Sequence, residues 1–281
     1  MMEISGKSDP FPYLIIDNYL IESEYDDLIN ELNSTNPEVQ TTFSTALEDK
    51  QIYRHTSLKS LSKRLVSKVG SKEIKDIISK FCGELPILSL GETKNFSGYS
   101  PFHITKSKGM LGSHVDHSDI QQGEYLHIAN TIYYVSSIWE IGWGGETVLF
   151  SRNGFLPKVN IQPIPNRLII FIHTSNSFHG VRNYHPLKKV YRKTFYHDYY
   201  IEKKYKEKFI KFINLNRKNK LSLSSHGTTF IPFFPNGLMN FNSGQFFSFT
   251  NLKYIPIYMI YLFNKIFKTR ITSIKKIIFR R

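Results

Sequence analysis

The segment GSHVDHSD at residues 112–119 contains two histidines and two aspartates, and imidazole and carboxylate groups bind transition metals. In a β-strand, residues two apart project from the same side, so His114 and Asp116 would lie together. His117 and Asp119 do not share that spacing, and we expect them in the following turn. An imidazole beside a carboxylate supplies two ligands of the 2-His-1-carboxylate site that binds Fe(II) on one face.

The third ligand of such a site must come from a neighbouring strand. The segment RLIIFIHTSNSFHGVRN places His179 just after an apolar strand and directly before a glycine. An isolated His-x-Asp also occurs by chance, and a histidine at a strand end is more often an ordinary hydrogen-bonded residue. Further histidines occur in this part of the chain, namely His103, His127, His173, His185 and His197. The spacing alone therefore leaves a metal site and a polar turn open.

The basic charge of the chain is concentrated in its C-terminal part. The 281 residues carry a formal net charge of +14, yet sixteen Lys and Arg residues and a single acid, Glu207, lie within 203–281. The rest of the chain is close to neutral, so the average charge does not indicate a nucleic-acid-binding protein, and we recognise no nucleic-acid-binding motif. We do not expect nucleic acid as a partner.

The sequence predicts a cytoplasmic protein. The one cysteine, Cys82, cannot form an intramolecular disulfide, which fits a reducing compartment. We expect no signal peptide at the N-terminus and no spanning helix, because no apolar run reaches the roughly 18 residues that a bilayer requires.

The apolar residues change their spacing along the chain. They predict a short strand at Tyr13–Ile16, a helix at about 22–32 and helices over 58–82 with a break near Gly70. Over residues 85–201 they fall instead in short aromatic and β-branched segments between Gly, Pro, Asn and Ser clusters. Such segments predict a sandwich or barrel.

We place a boundary near residue 202. Residues 1–202 would form a mainly β domain with N-terminal helices, and residues 203–281 a basic, partly helical extension. Within that extension, residues 253–281 mix Ile, Phe and Tyr with eight basic residues and no acid. A basic amphipathic helix in peripheral contact with an anionic membrane fits this composition, and so does a helix docked on the β domain.

The order of the motifs resembles the Fe(II)/2-oxoglutarate-dependent dioxygenases, in particular the prolyl-hydroxylase-like branch. The His-x-Asp pair is followed by the aromatic strand TIYYVS, then GGET, then FHGV, and Arg192 comes thirteen residues after His179. The opening DPFPYLIIDNYLIESEYDDLINEL also resembles the N-terminal strand and helix of that family. The resemblance covers roughly residues 10–201. It implies a mainly β fold with flanking helices, built on a double-stranded β-helix of the jelly-roll or cupin-like type.

The resemblance also implies roles for individual residues. His114, Asp116 and His179 match the iron ligands. Arg192 matches the basic residue that pairs with the distal carboxylate of 2-oxoglutarate, which a guanidinium can grip with two parallel hydrogen bonds. Tyr134 matches a strand position whose hydroxyl can reach the same carboxylate, although a core aromatic would fit there equally well.

Two departures from the family pattern affect these assignments. The gap before Arg192 is slightly long, which leaves Lys188 and Lys189 as weaker candidates for the carboxylate anchor. His127 stands where relatives often have arginine, so we infer no substrate contact at this position.

Asp116 follows the hydroxylase pattern, because the halogenating relatives lack this carboxylate. The resemblance therefore favours hydroxylation over chlorination.

The resemblance implies an enzyme that uses Fe(II), 2-oxoglutarate and O₂, with ascorbate as a further candidate cofactor. It would insert one oxygen atom into an unactivated C–H bond of a small-molecule or protein substrate and release succinate and CO₂. Two other classes stay open. One is a metal-binding jelly-roll protein, an isomerase or binding module, that does not use 2-oxoglutarate, and Arg192 counts against it. The other is an inactive membrane-associated scaffold, and the intact candidate ligands count against that.

Overall fold

The computed structural model describes residues 3–44, 48–89, 92, 101–116, 124–152, 154, 156–187, 189–215, 220–223 and 229–230. Its strands are β1 (Glu3–Lys7), β2 (Tyr13–Asp17), β3 (Val39–Ser44), β4 (Glu48–Tyr53), β5 (Leu88–Ser89), β6 (Phe102–Thr105), β7 (Met110–Val115), β8 (Tyr125–Tyr134), β9 (Thr147–Phe150), β10 (Pro157–Ile161), β11 (Leu168–Ile172), β12 (His179–Val181), β13 (Arg192–Glu202) and β14 (Thr229–Phe230). Its α-helices are α1 (Glu22–Asn33), α2 (Ser60–Val69), α3 (Lys72–Phe81) and α4 (Lys206–Ile213). None of the helices in these ranges has the length and apolar character needed to cross a bilayer.

The strands form one curled, antiparallel sheet. The order β1-β2-β11-β8-β13-β6 makes up the major sheet, and β7-β12-β9-β10 makes up the minor sheet. Strand β4 joins the two by pairing with both β6 and β7. The short strands β3, β5 and β14 pair with β4, β13 and β7 respectively. This is the mainly β, jelly-roll core with flanking helices that the sequence predicted.

The outer face of the major sheet holds the main hydrophobic core. Side chains alternate between the two faces of a strand, so Tyr133 of β8 and Phe195 and Tyr199 of β13 point outwards, where they are buried. The helices cover them with apolar faces of helical spacing. The buried helical members of this core include Tyr25, Leu28, Leu32, Leu65, Val69, Ile74, Ile78, Phe209 and Ile213. The inner face of the major sheet is thereby left to face the minor sheet.

The carboxylate of Glu31 links α1 to the start of α2. Near the end of α1, Glu31 accepts hydrogen bonds from the backbone N–H groups of Leu61 and Ser62, at 2.9 and 2.8 Å, and from the Ser62 hydroxyl at 2.7 Å. The first N–H groups of a helix have no partner within the helix, and negative charge is favourable beside them. Glu31 therefore fixes the start of one helix from the end of another.

The N-terminal strand β2 pairs with β11 near the middle of the chain. At their junction a bidentate ion pair joins Arg167 to Asp17, and the two residues are 150 positions apart in sequence. Nε and Nη2 of Arg167 donate to the two carboxylate oxygens of Asp17 at 2.6 and 2.8 Å. Strand β11 lies between β2 and β8 and is buried along its whole length, because helices cover one face and the minor sheet covers the other.

The helices and most strands lie where the sequence predicts them, including the break between α2 and α3. The hairpin of β3 and β4 was not predicted, since most of its side chains are half-buried or exposed and show no clean alternation.

The described residues beyond 202 pack on the same body. Phe209, Ile213 and Leu221 belong to the main core, and β14 pairs with β7. The division at residue 202 stays a prediction. The segment 253–281, for which membrane contact is predicted, lies outside the described residues.

Candidate metal centre

The structure brings together His114, Asp116 and His179. His114 lies on β7 and His179 opens β12, and the two residues face each other in the pairing of these strands. Asp116 follows the last residue of β7 rather than lying within the strand. One ligand atom from each residue lies within 4.8 Å of the others.

The two imidazoles present the same nitrogen to the centre. Nδ1 of His114 lies 2.8 Å from the carbonyl oxygen of Gly112, and Nδ1 of His179 lies 3.0 Å from that of Ser177. A ring nitrogen bonded to a carbonyl oxygen carries the proton, so in each neutral ring Nε2 keeps its lone pair. This is the arrangement in which a histidine binds metal through Nε2.

Burial and charge hold the three groups in their ligand forms. Burial lowers the pKa of His114 to about 3, and it lowers the pKa of His179 as well. Burial raises the pKa of Asp116, but the neighbouring His179 and His114 outweigh that effect and lower it. At neutral pH the imidazoles are neutral and the carboxylate is ionised, as metal ligands must be.

The contacts between the three groups fit a cation. Nε2 of His114 and Nε2 of His179 each lie 3.5 Å from an oxygen of the Asp116 carboxylate. Nitrogen lone pairs that face a carboxylate repel it, and a divalent cation among them would reverse the sign of the interaction. Two imidazoles and one carboxylate are the donor set of non-haem Fe(II) sites.

A connected set of polar side chains lies behind Asp116, and we call it the Asn130 network: Asn130 and His127 of β8, and Tyr196 and Asp198 of β13. Nδ2 of Asn130 donates to Oδ2 of Asp116 at 3.3 Å and also to the Tyr196 hydroxyl. Oδ1 of Asn130 lies 2.7 Å from Nε2 of His127. The same nitrogen is 3.2 Å from the carboxylate of Asp198, to which Tyr196 is also hydrogen-bonded.

Within this network His127 and Asp198 form a buried ion pair. Burial lowers the pKa of His127, but Asp198 outweighs it and raises the pKa to about 9. Burial raises the pKa of Asp198, and His127 in turn lowers it. His127 is therefore a cation at neutral pH.

Arg192 is buried at the other end of the inner face. It opens β13, only 4% of its surface is exposed, and its guanidinium lies 5.2 Å from the ring centroid of Tyr134. Nε donates to the carbonyl oxygen of Gly145 at 2.7 Å, and Nη2 to the Thr147 hydroxyl at 3.3 Å. The Tyr134 hydroxyl donates to the same Thr147 oxygen at 2.6 Å. Among the described residues, no carboxylate forms an ion pair with this cation.

The two glycines of GGET support this pocket through their backbone. Gly144 and Gly145 have φ values of 75° and 79°, which favour glycine. A Cβ at Gly144 would lie 1.8 Å from the Asn183 carbonyl oxygen, and one at Gly145 would lie 3.2 Å from Cδ of Arg192. This backbone conformation lets the carbonyl of Gly145 hold Arg192.

Strand β9 connects the arginine to the metal centre. Its residue Leu149 is paired with His179, and Thr147 lies two positions earlier on the same face, roughly 7 Å along the strand. The Thr147 hydroxyl that contacts Arg192 and Tyr134 is therefore next to the metal centre in the same pocket. Phe171, whose ring centroid is 4.6 Å from that of His179, forms an apolar wall.

Of the other candidates from the sequence, the structure describes Lys189 only. Lys189 is exposed, whereas Arg192 is buried. Lys188, His117 and Asp119 lie outside the described residues.

The sequence analysis missed Asn130, Thr147, Tyr196 and Asp198. A signal for two of them exists. Asn130 interrupts the otherwise apolar inner face that it shares with Ile132 and Tyr134, and Asp198 interrupts the aromatic segment FYHDYY. A polar residue in a buried strand needs a hydrogen-bonding partner. Asn130 and Asp198 lie on neighbouring strands and share such a partner, His127.

A family match covers the part of the chain that forms this site. Residues 100–197 match the 2OG-Fe(II) oxygenase superfamily. No curated protein sequence matches the chain. The chain resembles the crystal structure of a prolyl-4-hydroxylase from Pseudomonas putida, with 12% identity and a TM-score of 0.45 over 68% of this chain and 92% of the other.

Two further structures show a similar level of likeness. For the viral collagen prolyl hydroxylase of Paramecium Bursaria Chlorella virus-1, in complex with 2OG, the identity is 16% and the TM-score 0.45, over 70% of this chain and 99% of the other. For HygX from Streptomyces hygroscopicus, with nickel, 2-oxoglutarate and hygromycin B bound, the identity is 11% and the TM-score 0.45, over 67% and 82%. The matched segment 100–197 holds all three candidate ligands and Arg192, so the predicted resemblance to the 2OG-Fe(II) oxygenase superfamily is confirmed over the part of the chain that carries the site.

Proposed function

We propose that this oxygenase is a hydroxylase, which inserts one oxygen atom into an unactivated C–H bond and converts 2-oxoglutarate to succinate and CO₂. The observation that carries the proposal is the buried guanidinium of Arg192, which has no carboxylate partner among the described residues. An uncompensated charge inside a protein costs several kcal/mol. The distal carboxylate of 2-oxoglutarate would supply the missing partner.

The remaining residues of the pocket have complementary roles. His114, Asp116 and His179 would hold the iron through two neutral nitrogens and one carboxylate oxygen. Bound Fe(II) and 2-oxoglutarate supply the O₂-dependent oxidation that defines the family. Arg192 would orient the co-substrate, with Tyr134 and Thr147 as hydrogen-bonding neighbours, while Phe171 and Leu149 keep water from this side of the centre.

The alternatives differ from this proposal at identifiable residues. A metal-binding jelly-roll protein that does not use 2-oxoglutarate would have no need for a buried arginine in the same pocket. A halogenating enzyme would lack the carboxylate at position 116. An inactive scaffold would have no reason to keep both imidazoles neutral and aimed at the carboxylate.

The test is the conversion of 2-oxoglutarate to succinate by the purified full-length protein with Fe(II) and O₂. We expect slow turnover without added substrate, which rises when the correct substrate is present. Asp116→Ala should abolish it, and Lys189→Ala, which removes an exposed charge, should leave it unchanged. Wild-type protein that binds Fe(II) but forms no succinate in any substrate screen would contradict the proposal. Ascorbate should be tested as an additive in the same assay.

We also propose that residues 253–281 contact anionic membranes peripherally. Eight basic residues without an acid support this, because each contributes roughly 1 kcal/mol near an anionic surface. The full-length protein should sediment with anionic vesicles at low salt and be released as salt is raised. Failure to sediment with them at low salt would contradict the idea.

A further inference from the structure

We propose that Asn130 is a positioning residue for the metal ligand Asp116, and that the His127–Asp198 pair sets the orientation of the Asn130 amide. The inference rests on the metal site of the proposed function. It concerns how tightly the protein binds the metal, and it adds no step to the reaction.

Asp116 needs a positioning contact more than the two histidines do. His114 and His179 lie on paired strands, and the Nδ1 atom of each ring is bonded to a backbone carbonyl. Asp116 follows the end of β7, so the strand ladder does not fix it. Its contact with Asn130 comes from the centre of the major sheet, where Asn130 is fully buried and paired with both β11 and β13.

The amide of Asn130 can take only one orientation in this network. An amide has an acceptor end and a donor end. The protonated His127 can only donate, so it requires Oδ1 of Asn130, which lies 2.7 Å away. Nδ2 is then turned towards Asp116 and the Tyr196 hydroxyl, and both of these can accept. Asp198 lies opposite Asn130 in the pairing of β8 and β13 and holds His127 in place.

Hydrogen-bonding partners behind metal ligands typically change metal affinity 10- to 100-fold when they are removed. We therefore expect Asn130→Leu, which keeps the size of the side chain and removes both ends of the amide, to weaken the binding of Co(II) to the metal-free full-length protein by about 10-fold or more. The visible spectrum of bound Co(II), which reports the ligand geometry, should change as well. Ile132→Val, a small packing change two residues along the same face, should leave both unchanged.

A pair of substitutions at His127 separates orientation from packing. A glutamine can still donate an N–H to Oδ1 of Asn130, whereas a leucine cannot. His127→Gln should therefore bind Co(II) within about threefold of the wild type, and His127→Leu should show a weakening like that of Asn130→Leu. In an Asp116→Ala background, Asn130→Leu should cause no further loss, because the contact through which it acts is already absent.

Several outcomes would overturn the inference. Wild-type Co(II) affinity in Asn130→Leu would do so, as would equal affinities for the two His127 variants, or the same weakening by Asn130→Leu with and without Asp116. If Asn130→Leu does not fold, the difference in Co(II) affinity between His127→Gln and His127→Leu tests the inference. Wild-type protein that binds no Co(II) at all would instead contradict the proposed function, so the two failures are distinguishable.

Discussion

The guanidinium of Arg192 lies over the ring of Tyr134, and the hydroxyl of Thr147 on the facing minor sheet contacts both residues. This contact closes one end of the pocket, and His114, Asp116 and His179 lie further along it. The positive charge is thereby held by a carbonyl, a hydroxyl and an aromatic face, none of which neutralises it.

Arg192→Ala should raise the KM for 2-oxoglutarate by on the order of 100-fold, since a charge-assisted pair is lost and a carboxylate is left without its partner. Steady-state succinate formation at varied 2-oxoglutarate measures this, and Co(II) affinity should be unaffected. Lys189→Ala is the matched control. An unchanged KM in Arg192→Ala would show that another residue anchors the co-substrate, and Lys188→Ala would be the next variant to test.

Gly145→Ala should raise the KM for 2-oxoglutarate without weakening metal binding. The added methyl group would lie 3.0 Å from the Tyr184 ring and 3.2 Å from Cδ of Arg192, and so would displace the guanidinium. Gly142 is the control, because its φ is also positive, at 95°, yet nothing lies within 4 Å of an added Cβ. Both variants carry a backbone cost of roughly 1–2 kcal/mol. Equal KM values for the two variants would mean that the methyl contact has no effect on Arg192.

Glu31→Gln should lower the free energy of unfolding by about 1 kcal/mol at neutral pH, because Glu31 caps α2. Burial raises the pKa of Glu31, but hydrogen bonds from Ser62 and Leu61 outweigh it and lower the pKa below its ordinary value. A lowered folded-state pKa gives stability that is present above the unfolded pKa and lost as pH falls through the folded one.

The difference between wild type and Glu31→Gln should therefore shrink on acidification below about pH 4.5. Denaturant titrations at several pH values measure it, and Asp27→Asn, an exposed change on α1, serves as control. A difference that stays constant down to pH 3 would argue against a role for the carboxylate charge.

Cys82 should react slowly with an aromatic disulfide reagent such as dithiobis(nitrobenzoate) until the protein unfolds. Its side chain is fully buried, and burial raises the pKa of the thiol far above its usual range, so little reactive thiolate forms. Absorbance of the released thiol with and without denaturant measures the rate. Rapid reaction of one thiol per native chain would show that this part of the core opens readily.

The grouping of His114, Asp116 and His179 could be predicted from the spacing together with the order of the motifs, because both signals are local. His114 and Asp116 are two residues apart, and His179 stands in a recognisable FHGV segment. The Asn130 network could not be predicted in the same way, since Asn130 and Asp198 are neighbours only through the pairing of β8 with β13. The register of that pairing depends on the whole sheet. The β3–β4 hairpin was missed for a different reason, because its exposed polar side chains show no period.

The pairing of β2 with β11 has a consequence for the order in which the chain can fold. Asp17 meets Arg167 across 150 residues, so β2 has only β1 as a partner strand until β11 has been synthesised. At a synthesis rate of roughly 5–20 residues per second, that interval is on the order of 10–30 seconds. The edge of the apolar strand YLIID that later pairs with β11 therefore stays open during this time, while its other edge can already pair with β1.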